Sequence, residues 1–268
     1  MTDKYAVIGN PIAHSKSPLI HAAFAKQMHQ DMRYETILAP LDSFDKTVKK
    51  LIAQGYKGAN VTVPFKIEAF NLCDELSERA KYAGAANTLI FSANQTNGDN
   101  TDGIGLVSDI QNNLKHTLQG ARILLLGAGG AAQGVVLPLL NTHPDSIIIA
   151  NRTLEKAQQI VDRTKGVALV SANTFENLKG QFDVIINATS AGLTDASLPI
   201  ANSIFAKGSL AYDMMYSRET PFMAQARAAG AQVADGLGML VEQAAEAFYL
   251  WRDVRPETAP VIAMLRNV

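Results

Sequence analysis

The segment from Ile123 to Ala150 constrains the fold more than any other part of the chain. Ile123 to Leu126 is an unbroken apolar run, and the glycine-rich sequence Gly127 to Ala132 follows it at once. An apolar strand without alternation is typical of a parallel sheet that is buried on both faces. A stretch compatible with a helix then leads to a second apolar run, Ser146 to Ala150. This order predicts a strand–helix–strand unit.

The glycine-rich turn carries a dinucleotide-binding pattern. Gly127-x-Gly129-x-x-Ala132 matches the G-x-G-x-x-A fingerprint. Glycines let the backbone approach a pyrophosphate closely, and the N-terminus of the next helix offers unpaired N–H groups and a partial positive charge. A glycine turn without a ligand is the alternative, and the flanking strand and helix favour the ligand. The predicted cofactor contacts in this turn are Gly127, Ala128, Gly129, Gly130 and Ala131.

The end of the second strand favours NADP over NAD. An NAD-binding unit usually places an acidic residue there, about 20 residues past the fingerprint, to bind the ribose 2′-hydroxyl. Here the sequence is Asn151-Arg152-Thr153, with Lys156 one turn later. A guanidinium group pairs well with phosphate oxygens, so Arg152 suits the 2′-phosphate of NADP. A solvated arginine at a helix start is the alternative, although a cation there opposes the helix dipole.

The rest of the chain alternates between strands and helices, which predicts an α/β protein. With 268 residues, it is long for a single core. We predict two domains: a mostly parallel sheet domain for the substrate, made of residues 1–103 plus 238–268, and a Rossmann-like NADP domain at 104–237. The C-terminal helices would return to the first domain. Three local predictions are a helix through 67–80, a turn at Asn97-Gly98 and a strand from Val167 to Val170.

Composition excludes several classes of function. The formal net charge of −1 gives no electrostatic footprint for nucleic acid or an anionic membrane. No apolar run approaches the ~20 residues of a membrane helix, and no secretory signal precedes the first strand. The single cysteine, Cys73, and the scattered histidines offer no metal-ligand spacing. We therefore expect a cytoplasmic, metal-free protein that acts on a small molecule.

Five further segments resemble the shikimate dehydrogenase family in order and spacing, and the resemblance covers the whole chain. They are His14-Ser15-Lys16-Ser17-Pro18, Asn60-Val61-Thr62-Val63-Pro64-Phe65-Lys66, Gly84-Ala85-Ala86-Asn87-Thr88, Asn100-Thr101-Asp102-Gly103 and Asp235-Gly236-Leu237-Gly238-Met239-Leu240. One such segment would be weak evidence, but the ordered set is specific.

The resemblance implies a role for each matching residue. Lys66 and Asp102 would be the catalytic pair, and Ser15 and Ser17 would bind the substrate carboxylate. The remaining substrate-binding residues would be Asn60, Thr62, Asn87, Tyr216 and Gln243. The cofactor would also contact Glu78, Asn151, Arg152, Thr153, Lys156, Thr189, Ser190, Met214, Gly236 and Met239.

Local roles are alternatives for several of these residues. Ser17 before Pro18 is a good helix N-cap, and Asp102 before Gly103 could also be a cap. Lys66 lies at a predicted helix start, where a cation is mildly unfavourable. A buried Gln243 amide could bind either a ligand hydroxyl or a backbone carbonyl.

The activity implied by the resemblance is the NADPH-dependent, reversible reduction of 3-dehydroshikimate to shikimate, in the pathway to chorismate and the aromatic amino acids. The site would lie in a cleft between the two domains of a monomer or homodimer.

A quinate/shikimate dehydrogenase that accepts NAD is one alternative. Such relatives tend to carry an acid after the Asn-Arg pair, where this chain has Thr153 and Leu154; use of quinate stays open. A non-catalytic NADP-binding regulatory module and a glutamyl-tRNA reductase are two others. Lys66 and Asp102 argue against the first, and the net charge and the Ser-Lys-Ser-Pro segment argue against the second.

Overall fold

The chain forms two compact units. The computed structural model describes residues 2–92, 95–164, 169–191 and 196–267. Unit 1 contains the chain up to Gly105 and again from Leu240 onward, and unit 2 contains Leu106–Met239. Both units are α/β, which confirms the predicted fold class.

Unit 1 is built on a six-stranded mixed sheet in the order β2-β1-β3-β5-β6-β4. Its strands are β1 (Asp3–Gly9), β2 (Met32–Leu38), β3 (Tyr56–Val61), β4 (Glu75–Leu76), β5 (Thr88–Phe91) and β6 (Thr96–Asp99). Its helices are α1 (Ser17–Gln27), α2 (Phe44–Ala53), α3 (Lys66–Leu72), α4 (Glu78–Ala83), α5 (Asp102–Ser108), α9 (Leu237–Arg252) and α10 (Ala259–Arg266), with α5 and α9 continuing across the unit boundary. β1 pairs in parallel with β2 and β3, whereas β5 runs antiparallel to both β3 and β6.

Two local predictions in unit 1 are wrong. The predicted helix at 67–80 is two helices, α3 and α4, separated by the short strand β4. The predicted turn at Asn97-Gly98 lies inside β6, which pairs with both β5 and β4. Gly98 stands in this strand because a Cβ there would lie 2.5 Å from the Cys73 sulfur. The glycine therefore marks a close approach between two segments, not a turn.

Unit 2 has a fully parallel sheet in the order β12-β11-β10-β7-β8-β9. Its strands are β7 (Arg122–Leu126), β8 (Ser146–Ala150), β9 (Val170–Asn173), β10 (Phe182–Asn187), β11 (Phe205–Asp213) and β12 (Gln232–Ala234). Its helices are α6 (Gly130–Leu140), α7 (Leu154–Arg163) and α8 (Pro221–Ala228), and a π-helical turn, Asp109–Asn113, follows α5. The predicted strand from Val167 begins at Val170 in the structure, and residues 167 and 168 lie outside the described residues.

The core of each sheet follows from its strand sequence. Ile123 to Leu126 of β7 are fully buried at the centre of unit 2, as expected for a strand covered on both faces. In unit 1, β1 and β3 bury Ala6, Ile8, Ala59 and Val61. No helix in the described ranges is both long and apolar enough to cross a membrane.

One tight contact joins β3 to α9. Gly58 leaves room for the Trp251 indole, whose Nε1 donates a hydrogen bond of 3.0 Å to the Leu89 carbonyl. A Cβ on Gly58 would lie 2.4 Å from Trp251 Nε1 and 2.6 Å from that carbonyl oxygen. Real Cβ atoms do not approach so closely, so a side chain here forces the indole or β5 to move.

We therefore expect Gly58→Ala to lower the free energy of unfolding by about 2 kcal/mol through overpacking. Urea denaturation of Gly58→Ala, Trp251→Phe and the double variant checks this. The smaller ring relieves part of the clash, so the double variant should lose less stability than the sum of the two single losses. Additive losses would show that the indole does not constrain position 58.

Candidate active site

An ion pair stands at the centre of the polar residues of unit 1. Lys66 Nζ donates to Asp102 Oδ2 at 2.6 Å. The Lys66 side chain is 31% exposed and that of Asp102 is 17% exposed, so the pair is accessible to a ligand while its carboxylate is largely enclosed. The structure thus brings the two predicted catalytic residues together.

Lys66 is positioned by the chain on either side of it. It is the first residue of α3, as predicted, and the preceding Phe65 is fully buried and stacks on Phe44 at a centroid distance of 5.0 Å. The Lys66 carbonyl accepts a hydrogen bond of 2.9 Å from the Ala86 N–H. The buried Phe65 ring fixes the start of α3. The hydrogen bond from the Ala86 N–H connects this start to the residue before Asn87.

Asn87 holds Asp102 from the other side. Its Nδ2 donates to Asp102 Oδ1 at 2.8 Å. Its Oδ1 accepts from the Thr101 N–H and from the Thr88 hydroxyl, both at 2.9 Å, and the Thr101 hydroxyl oxygen lies 3.2 Å from it. Asn87 is only 3% exposed. One amide therefore orients both the carboxylate and the backbone that carries it.

Asn60 has little hydrogen-bonding capacity left for a ligand. Its Nδ2 donates to the Asn87 carbonyl at 3.3 Å and to Thr88 Oγ1 at 3.1 Å, and its Oδ1 accepts from the Tyr34 hydroxyl at 2.7 Å. An amide has two donors and two acceptor lone pairs. Within the described part of the chain, one lone pair of Oδ1 remains, so Asn60 can act toward a ligand only as an acceptor.

The capping role that the sequence offered as an alternative for Ser17 is not found. Helix α1 begins at Ser17, its N-cap is Lys16, and no side chain of the described residues caps it. The Ser15 hydroxyl instead accepts from the Ser17 N–H at 3.3 Å. Ser17 is 8% exposed, and its side chain hydrogen-bonds to Tyr34, which partly offsets the rise that burial causes in the Tyr34 pKa. Thr62, directly after β3, is half-buried.

Gln243 on α9 is tied to the same cluster by a residue that sequence reasoning did not select. Thr101 is fully buried, and its hydroxyl is 3.4 Å from Gln243 Oε1. Gln243 Nε2 donates to the Leu240 carbonyl at 2.8 Å, so a backbone partner takes one of its donors. Thr101 lies inside the Asn100–Gly103 segment of the resemblance, which was the available signal for it.

The glycine turn of unit 2 has the geometry of an anion site. Gly127 has a φ of +106°, and its N–H donates to the Ala150 carbonyl at 2.7 Å. Gly129 is the N-cap of α6, and a Cβ on Gly129 or Gly130 would meet nothing within 4 Å. Gly129, Gly130 and Ala131 are exposed, whereas Gly127 is buried. The N-terminus of α6 is therefore open, and a pyrophosphate can approach the unpaired N–H groups of its first turn.

Two cations stand at the end of β8. Arg152 and Lys156 are exposed and have no ion-pair partner among the residues that the structure describes. Asn151 Nδ2 donates to the Thr153 carbonyl at 2.8 Å, and Thr153 is the N-cap of α7 without a side-chain capping bond. The local structure thus orders the turn and leaves both cations available to an anion.

A third group of predicted cofactor residues follows β10, β11 and β12. Thr189 bonds to Asn187 Oδ1 through its N–H and its hydroxyl, and the Met214 N–H donates to the Asn187 carbonyl at 3.0 Å. A Cβ on Gly236 would lie 2.3 Å from the Met214 carbonyl oxygen. The Met239 N–H donates to the Tyr212 hydroxyl at 3.2 Å. The structure therefore holds these residues close together at one edge of the sheet.

Three predicted residues stand apart from these groups. Ser190 is exposed beside Thr189. Tyr216 belongs to unit 2, and burial raises its pKa. Glu78 belongs to unit 1 as an exposed residue in the first turn of α4, where an acid is favourable without any ligand.

Comparison with known proteins assigns the chain to a family. Models match at residues 7–89 (shikimate dehydrogenase substrate binding domain), 109–196 (shikimate/quinate 5-dehydrogenase) and 236–266 (shikimate 5′-dehydrogenase C-terminal domain). Shikimate dehydrogenase (NADP(+)) of Methylobacillus flagellatus is 59% identical over 267 residues, which is 98% of this chain and 99% of the relative. The chain belongs to the shikimate dehydrogenase family.

Solved structures agree with this family assignment. An enzyme from Pseudomonas putida is 46% identical, with a TM-score of 0.96 and coverage of 98% of each chain. Shikimate 5-dehydrogenase of Thermus thermophilus, solved in complex with NADP(H) and shikimate, is 30% identical, with a TM-score of 0.89 and coverage of 99% of each chain. The fold is therefore that of the family along nearly the whole chain.

His21 makes the stability of unit 1 depend on pH. It is fully buried and stacks on Tyr34 at a centroid distance of 4.1 Å. Burial lowers the pKa of His21 from 6.5 to about 3, and Asn60 raises this pKa by a smaller amount. The folded protein thus keeps this imidazole neutral at a pH where the unfolded chain protonates it. Stability should fall as the pH drops below about 6.5 and continue to fall until about pH 3.

Between about pH 7.5 and about pH 5, we expect the wild type to lose about 2 kcal/mol more stability than His21→Leu. Urea denaturation of both proteins at the two pH values measures the difference, because the other titrating groups are common to both. Equal losses would mean that His21 is protonated in the folded protein.

Proposed function

We propose that this chain catalyses the reversible reduction of 3-dehydroshikimate to shikimate with NADPH. The observation that carries the proposal is the Lys66–Asp102 ion pair of 2.6 Å, set among hydrogen-bonded polar residues of unit 1. Membership of the family supports the reaction class, and the name of the relative from Methylobacillus flagellatus supports NADP as the cofactor.

The polar residues of unit 1 suit a hydroxylated carboxylic acid. In our proposal Ser15 donates a hydroxyl hydrogen bond to the substrate carboxylate, and the Ser17 hydroxyl turns from Tyr34 to bind the same carboxylate. The ring hydroxyls and the carboxylate are bound further by Asn60, Thr62, Asn87, Tyr216 and Gln243. Asn60 contributes an acceptor and Asn87 a donor, since these are the capacities that their protein partners leave to them.

The residues of unit 2 fit NADP. The exposed N-terminus of α6, with Gly127, Ala128, Gly129, Gly130 and Ala131, would hold the pyrophosphate. Arg152 and Lys156, with Asn151 and Thr153, would hold the 2′-phosphate, because both cations are exposed at the end of β8. The nicotinamide end would be lined by Thr189, Ser190, Met214, Gly236 and Met239. Glu78 would contact the cofactor in addition to its favourable place in the first turn of α4.

Lys66 and Asp102 carry out the proton chemistry. When bound, NADPH supplies the hydride, and negative charge then develops on the former ketone oxygen of the substrate. The Lys66 ammonium group stabilises that charge and gives the oxygen a proton, and in the reverse direction the neutral amine removes it. Asp102 orients Lys66 through their charge-assisted hydrogen bond.

We assign the substrate to a domain of residues 1–103 plus 238–268 and the cofactor to residues 104–237. The family model of the substrate binding domain at 7–89 supports the first assignment. We also propose a cytoplasmic enzyme that is a monomer or a homodimer. Light scattering during size-exclusion chromatography would separate these two states, and a larger assembly would refute both.

The direct test follows NADPH oxidation by the purified protein with 3-dehydroshikimate. Parallel reactions contain 3-dehydroquinate in place of the substrate, or NADH in place of NADPH. Turnover with 3-dehydroshikimate and NADPH alone supports the proposal. Comparable rates with 3-dehydroquinate or NADH would place the chain among dual-specificity enzymes, and the absence of turnover would refute the function.

Lys66→Ala should lower kcat by about 100-fold or more with a smaller change in KM, because its interaction is strongest in the transition state. Lys57→Ala, which removes an exposed lysine of β3, is the matched control and should retain kcat. Steady-state kinetics with 3-dehydroshikimate measure both. An unchanged kcat with a raised KM would make Lys66 a binding residue only.

Arg152→Ala should raise KM for NADPH about tenfold or more, since hydrogen bonds to charged groups contribute about 1.5–3 kcal/mol each. NADH lacks the 2′-phosphate and is the internal control, so its KM should not change. Adding Lys156→Ala should weaken NADPH binding further. If the KM of both cofactors rises equally, Arg152 supports the turn and does not bind the phosphate.

A further inference from the structure

A buried ion cluster lies behind the loop that carries Asp102. Arg79 donates from Nε and Nη2 to the two carboxylate oxygens of Asp99, at 2.7 and 2.8 Å. Its Nη2 also donates to Glu246 Oε1 at 2.8 Å. Asp99 and Glu246 are only 6% and 7% exposed. One guanidinium group thus joins the end of β6 to helix α9.

Asp99 connects Arg79 to the segment from Asn100 to Asp102. Its Oδ1 accepts the Asn100 N–H at 2.6 Å and the Ser77 hydroxyl at 2.5 Å. Asn100 in turn accepts the Asp102 N–H on its side-chain oxygen at 3.2 Å. A continuous series of hydrogen bonds therefore runs from Arg79 to the backbone of Asp102, whose carboxylate holds Lys66.

Glu246 connects the same guanidinium group to the opposite side of the loop. It lies three residues after Gln243 on α9, so the two side chains share a face of the helix. Gln243 Oε1 is the partner of the buried Thr101 hydroxyl. Arg79 therefore restrains the segment from Asn100 to Asp102 through the residue before it and through the helix packed against it.

The chemistry of the cluster favours a role beyond stability. Two nearly buried carboxylates lose much of their hydration. A protein with apolar residues of similar volume in place of such an ion cluster is often equally stable or more stable. The charged cluster instead fixes the relative orientation of its side chains, because a bidentate guanidinium–carboxylate pair holds both partners in one geometry.

We propose that Arg79 is a positioning residue for the Lys66–Asp102 pair. Arg79 does not contact the reacting groups. It fixes the conformation of the Asn100–Asp102 backbone through Asp99 and Glu246. The predicted effect of replacing Arg79 on turnover depends on the function proposed above. The predicted effect on the conformation of the Asn100–Asp102 segment does not depend on it.

The test compares Arg79→Gln with the matched variant Arg122→Gln. Arg122 makes a similar forked contact to Asp183 in unit 2, at 3.0 and 2.8 Å, and takes no part in the proposed site. Arg79→Gln should lower kcat about tenfold or more with KM for NADPH within about twofold, since misplacement by about 1 Å can cost 100-fold. Arg122→Gln should leave kcat unchanged.

Hydrogen exchange gives a readout that needs no substrate. In Arg79→Gln the amides of Asn100 and Asp102 should exchange at least about tenfold faster, with the sheet of unit 2 unchanged. If the wild type turns over and Arg79→Gln matches Arg122→Gln in kcat, the inference is overturned. If the wild type does not turn over, the proposed function fails, and unchanged exchange in Arg79→Gln would independently overturn the positioning role. Should Arg79→Gln not fold, Arg79→Lys keeps the charge without the fork, and the same two readouts decide.

Discussion

The buried amide of Asn87 is the constraint on which the rest of the proposed substrate site depends. Its side chain makes three hydrogen bonds, and through them it fixes the Asp102 carboxylate, the Thr101 backbone and the Thr88 hydroxyl. Asn87 lies directly before β5, and its own N–H donates to the Asp99 carbonyl at the end of β6. Because the two antiparallel strands β5 and β6 set this register, the position of the Asp102 carboxylate is determined by the sheet.

Buried polar groups also explain why the residues of the site form one set. Asn60, Thr88 and Thr101 satisfy one another around Asn87, and each is less than 9% exposed. Removing one partner leaves another buried group unpaired, which costs about 1–3 kcal/mol. Stability and the geometry of the proposed substrate site are therefore coupled at these positions, and replacing one residue disturbs a network that extends as far as Lys66.

Sequence alone predicted the parts of the fold that depend on local pattern. The unbroken apolar strand β7 and its glycines predicted the nucleotide-binding unit, because burial on both faces and a positive φ at Gly127 each restrict the residue type. The Asn97-Gly98 turn was predicted wrongly, because the packing of Cys73 against Gly98 joins residues far apart in the chain. Thr101 and Arg79 were missed for the same reason: their partners Gln243 and Glu246 lie about 140 and 170 residues away. The pairing of Lys66 with Asp102 came from family resemblance, since no local rule brings them together.

The hydrogen-bonding capacity that remains after folding indicates what the site selects. In the described part of the chain, Asn60 keeps one lone pair, Asn87 one N–H, and the Lys66 ammonium group two N–H donors. A ring that carries several hydroxyls can serve as donor and acceptor to all three. A ligand without those hydroxyls would displace water and leave these groups unpaired, and sites built in this way can reject such analogues by about 10⁴-fold or more. Under the proposed function, selectivity against deoxy analogues of the substrate would follow from the same network that holds the ion pair in place.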